Sequence, residues 1–77
     1  MVRFGKALRR RRVAAGVSQA AVAKALGLKQ QSSWSRVETG KSAVNMVQLA
    51  KFARLLGVSM VDIGQDLDDS WRLEKPG

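Results

Sequence analysis

Gly27 stands between two short apolar patterns with helical spacing, and that punctuation constrains the chain more than any other feature. Before it, Ala20, Val22, Ala23 and Leu26 recur near the 3.6-residue repeat of one helix face. A glycine ends such a helix cheaply, because a residue without a Cβ takes the left-handed backbone conformation. After it, Trp34 and Val37 mark the inward side of a second helix running from Gln30 or Gln31 to Glu38. Gln31, Ser32, Ser35 and Arg36 fall on its other side. Two helices this short cannot bury a core alone, so the flanking sequence has to cover them.

The flanks supply that cover. A first helix is expected over about Phe4 to Ala15, with Phe4 and Leu8 as an i, i+4 stripe and Ala7 beside it. One further step along the stripe lands on Arg12, and Glu38 likewise continues the stripe begun by Trp34. A guanidinium and a carboxylate that both project toward a small core are costly apart and tolerable together. Arg12 and Glu38 are therefore expected to form a partly buried structural ion pair. Gly16 ends the first helix and Ser18 is a natural N-cap for the next. Asn45 caps a fourth helix whose Val44, Met46, Leu49, Phe52, Ala53 and Leu56 contribute to the core. Ser59 and Asp62 have capping-box spacing for a short fifth helix through Ile63. The expectation is an all-α, compact five-helix bundle over residues 1–64, followed by an acidic tail at 65–77. In that tail, Leu67 and Trp71 form a last turn that packs on the domain or on a second copy.

Charge narrows the partners. Residues 1–41 hold ten Lys or Arg against Glu38 alone, a net +9, while residues 42–77 hold four basic and five acidic residues, a net −1. So lopsided a chain turns its positive half toward a polyanion. A membrane surface is the poorer match, since the basic segment lacks a large aromatic or Leu-rich face. Cys and His are both absent, which removes thiolate and imidazole metal ligands and the commonest general base. No catalytic constellation, metal or cofactor is expected. Without disulfides, a signal-type apolar run or a membrane-length segment, a cytoplasmic, nucleoid-associated setting is expected.

The helix carrying Gln31 and Arg36 offers side chains that match base edges in the DNA major groove, Gln favouring adenine and Arg favouring guanine. Gln30, Gln31, Ser32, Ser35 and Arg36 are the candidate base contacts. Candidate phosphate contacts are Ser18 and Gln19 at the head of the second helix, Arg9, Lys29, and the loop residues Lys41 and Ser42.

Four segments together resemble the Cro and phage-repressor type of helix-turn-helix regulators, the xenobiotic-response-element family. They are FGKALRRRRVAAGVSQ at Phe4–Gln19, AVAKALG at Ala21–Gly27, SRVETGK at Ser35–Lys41 and LAKFARLLGVS at Leu49–Ser59. The resemblance implies a lambda-repressor-like DNA-binding domain of prokaryotic or phage type. It also implies phosphate contact by Gln19, base contact by the first exposed residues of the third helix, and pairing of the first helix's Arg with Glu38. One departure is visible: from Gly27 to Glu38 the chain has one residue more than the usual pattern. If the turn absorbs it, Gln31, Ser32 and Arg36 face the groove; if the helix start does, Gln30 and Gln31 do so with Arg36.

The functional expectation is a sequence-specific regulator of transcription, a repressor, that binds double-stranded DNA as a homodimer. Met60, Ile63, Leu67 and Trp71 are the expected dimer contacts, because the N-terminal half is committed to DNA. The alternative is an antitoxin or accessory module whose acidic tail holds a small protein partner.

Overall fold

The computed structural model describes residues 2–74, which form α1 (Val2–Ala14), α2 (Gln19–Ala25), α3 (Gln31–Glu38), α4 (Met46–Leu56) and α5 (Met60–Glu74). The described residues contain helices and no strand. Most helix starts have a local cause. Ser18 Oγ accepts from the Ala21 N–H at 3.0 Å and caps α2. Asn45 Oδ1 accepts from the Gln48 N–H at 2.8 Å, and Gln48 Oε1 accepts from the Asn45 N–H at 3.1 Å, closing a capping box on α4. Ser59 Oγ accepts from the Asp62 N–H at 3.1 Å at the head of α5. α3 differs: Gln30 precedes it in an extended conformation and makes no side-chain cap.

Gly27 carries the turn between α2 and α3 at φ +74°. Its N–H donates to Lys24 O at 3.2 Å and the Leu28 N–H donates to Ala23 O at 2.8 Å, so the carbonyls that end α2 are satisfied. The additional residue is accommodated in this turn, since Gln30 stays extended and the helix opens at Gln31.

One core joins the helices. Leu8, Val22, Trp34, Phe52 and Ile63 are its largest fully buried side chains, each worth about 1.5–3 kcal/mol of burial. Trp34 of α3 stacks on Phe52 of α4 with ring centroids 5.0 Å apart. This contact locks the inner side of α3 to the scaffold and leaves its outer side to solvent. α1 reaches α3 at Gly5, where a Cβ would come within 2.4 Å of Val37 O and 2.6 Å of Glu38 O. Only glycine permits that approach, and it sets α1 against the C-terminal carbonyls of α3.

Two expectations need correction. Met46 is 67% exposed, because it occupies the first turn of α4 outside the core-facing stripe of Leu49, Phe52 and Ala53. The fifth helix does not end near Ile63 but continues unbroken to Glu74, across the expected boundary between residues 64 and 65. Ile63 and Ser70 are buried along one side of it, and Asp66 on the same side bonds Arg11 of α1. On its outer side, Gln65 donates to Asp69 at 2.9 Å and Arg72 to Asp68 at 3.0 Å, both four residues apart. These contacts outweigh the ~1 kcal/mol that Gly64 costs a helix interior. Residues 75–77 of the expected tail lie outside the described residues.

Candidate nucleic-acid interface

Glu38 is the hub from which the site is built. It lies at the end of α3 and is 4% exposed. Arg12 of α1 reaches it with Nε at 2.6 Å from Oε2 and Nη2 at 3.2 Å from Oε1. Arg12 Nη1 also donates to Val17 O at 2.9 Å, which ties the loop before α2 to the same point. Trp34 Nε1 donates to Glu38 Oε2, and Gln19 Nε2 donates to Glu38 Oε1 at 2.9 Å. Burial pushes the Glu38 carboxyl up, but hydrogen bonds from Arg12, Gln19 and Trp34, with the charge of Arg12, outweigh it and hold the group below the ordinary carboxylate range. The carboxylate thus stays ionised inside the fold, and α1, α2 and α3 converge on it.

The network continues to the surface. Gln31 Nε2, at the first position of α3, donates to Gln19 Oε1 at 3.2 Å. A polar cleft of about 740 Å³ opens over this pair, lined by Lys6, Arg9, Ser18, Gln19, Gln31, Ser35 and Thr39 among others. Of the residues singled out in the sequence, Arg9, Ser18, Gln19, Gln31 and Ser35 are brought together here. Arg36 and Ser42 are not part of the cleft: Arg36 Nε donates to Ser42 Oγ at 3.3 Å beside a smaller hollow of about 220 Å³ between α3 and the start of α4. Ser32, exposed between the two groups, donates to Gln30 Oε1 at 3.2 Å. Lys29 and Lys41 are exposed and line neither cleft.

Several residues that shape the site were not singled out. Lys6 lies three residues before Arg9 and shares its exposed face of α1, a spacing visible in the sequence. Thr39 donates through Oγ1 to Ser35 O and Arg36 O, both at 3.2 Å, and finishes α3. Gly5 had a weaker signal, as a glycine inside the apolar stripe between Phe4 and Leu8. Among the expected dimer residues, Ile63 is 1% exposed and belongs to the chain's own core, so its side chain is not available to a second copy. Met60 and Leu67 are half-buried against that core. Trp71 is 58% exposed and turns much of its indole to solvent.

Residues 3–63 match the model of the helix-turn-helix domain family. The match covers the greater part of the chain, all of α1 to α4 beyond Val2, and the opening turn of α5; the protein belongs to that family, and membership implies DNA binding. No curated protein matches the chain in sequence. Among the described residues, no helix is long and apolar enough to cross a membrane.

Proposed function

We propose that the protein is a sequence-specific transcriptional repressor of the Cro and phage-repressor type, inserting α3 into the DNA major groove as a homodimer. The observation that carries this reading is the two-sidedness of α3. Trp34, Val37 and Glu38 are buried, while Gln31, Ser32 and Arg36 are exposed on the half of the chain with net charge +9. Gln31, Ser32, Ser35 and Arg36 read bases, and Gln30, just ahead of the helix, steers its entry into the groove. Ser18, Gln19, Arg9, Lys29, Lys41 and Ser42 hold backbone phosphates on either side.

One recognition helix covers only a few base pairs, so two copies on half-sites about 34 Å apart supply the rest of the specificity. Met60, Leu67 and Trp71 share one stripe of α5, and the exposed indole supports a protein contact there. The same indole favours a small protein partner as the second reading. Mass in solution separates the two, a symmetric dimer of this chain supporting the first.

Arg36→Ala tests base readout. It should lower binding to the cognate site by roughly 5- to 150-fold, the value of one bidentate base contact, and leave random-sequence binding nearly unchanged. Equal loss on both DNAs would reduce Arg36 to a phosphate contact.

A further inference from the structure

A carboxylate accepts hydrogen bonds and cannot donate them. The Gln19 amide must therefore turn Nε2 toward Glu38 Oε1, at 2.9 Å, and present its Oε1 on the opposite side. Gln31 meets that oxygen with its own Nε2 at 3.2 Å. One of the two amide hydrogens of Gln31 is thereby engaged, and one donor and one acceptor remain for a ligand. Reversing the Gln31 amide would set its oxygen against the Gln19 oxygen, two acceptors face to face. The orientation is thus dictated from the buried end of the chain of contacts.

We propose that Glu38, acting through Gln19, sets the hydrogen-bonding polarity of Gln31 and makes that position selective for adenine over guanine. The inference rests on the DNA-reading role of α3. In the major groove adenine presents an acceptor at N7 and a donor at its N6 amino group, whereas guanine presents two acceptors, N7 and O6. The donor and acceptor left on Gln31 fit adenine. Guanine asks for two donors, and Gln19 has already engaged one. Freed of Gln19, the amide keeps both hydrogens, turns about its last torsion and bonds either purine. Gln19 and Glu38 are positioning residues here, since neither needs to touch the base.

The experiment compares duplexes that differ only at the base pair read by Gln31, identified as the one whose preference disappears in Gln31→Ala. Wild-type protein should favour adenine over guanine by about ten-fold or more, and Gln19→Ala should reduce that ratio to about two-fold. Preferences at the base pairs read by Arg36 should stay as they are. Where Gln19 also holds a phosphate, its removal weakens both duplexes alike and cancels in the ratio. A ratio that survives Gln19→Ala overturns the proposal. On the wild-type protein, replacing the adenine by 7-deazaadenine (no N7) or by purine (no amino group) should each weaken binding by about ten-fold. Indifference to both replacements overturns the assigned polarity whether or not the variant folds. A wild-type protein that selects no sequence at all overturns DNA reading itself and the polarity mechanism with it.

Discussion

Arg11 and Arg12 are adjacent on α1, yet one leans toward α5 and the other into the crossing with α3. Arg12 and Glu38 have side chains 11% and 2% exposed, whereas Arg11 and Asp66 remain 29% and 19% exposed. Both guanidiniums hold a carboxylate with two nitrogens. Only the Arg12 site adds an indole, a glutamine amide and a backbone carbonyl at hydrogen-bonding distance. The difference teaches that burial, not the pairing itself, decides what a broken ion pair costs. Water can re-solvate Asp66 when its partner is removed, and it cannot reach Glu38 without opening the fold. The buried contact orients the helix proposed to read DNA; the half-exposed one clasps the helix proposed to meet a second copy.

The largest expected effect is at the buried pair. Arg12→Ala should lower the free energy of unfolding by about 3–5 kcal/mol, measured by denaturant titration, because it leaves Glu38 charged and unpaired. Acid breaks the same contact without a mutation. The carboxyl of Glu38 titrates lower in the folded chain than in the unfolded one. Its contribution is therefore complete above the unfolded value, 4.5, and is lost as pH falls through the lower folded value. Unfolding midpoints measured across that acid range should decline in the wild type and decline less in Arg12→Ala; equal slopes would detach the pH dependence from this pair.

Gly5→Ala comes next. Alanine is the better helix former by roughly 0.5–1 kcal/mol, so a variant free of other contacts would gain stability. The close approach of Val37 O and Glu38 O should reverse that sign, with a net loss of about 1–3 kcal/mol. A stabilised variant would show that α1 can back away from α3 at little cost. The smallest effect is expected at the exposed partner of the comparison. Arg11→Ala should cost no more than about 1 kcal/mol and should cost still less at high salt. A loss as large as that of Arg12→Ala would erase the contrast between the two regions.

The sequence carried much of this architecture. Glycines and capping residues punctuate the first four helices, and a guanidinium and a carboxylate on otherwise apolar stripes announce themselves by breaking the pattern. The length of α5 was not legible, because Gly64 and the acidic run after it are weak helix signals locally. What sustains the helix is the packing of Ile63 and Ser70 and the reach of Arg11 to Asp66, all contacts with α1 or the core. Met46 misleads for a related reason: it fits the apolar composition of α4 but sits off its buried stripe. The hydrogen bonds from Gln19 to Glu38 and Gln31 had no sequence signature either, since they require the α2–α3 crossing to be known. Periodicity reports which way a residue faces and is silent on what it meets.

The most direct measurement is selection of bound duplexes from a random pool at an ionic strength of about 0.1 M, where charge attraction alone is moderated. Wild-type protein should enrich a short two-fold symmetric motif, and Gln31→Ala and Arg36→Ala should each lose preference at a different base pair within it. Recovery of random sequence, held with the same affinity by the wild type and both variants, would contradict a reading surface on α3 and leave only its charge.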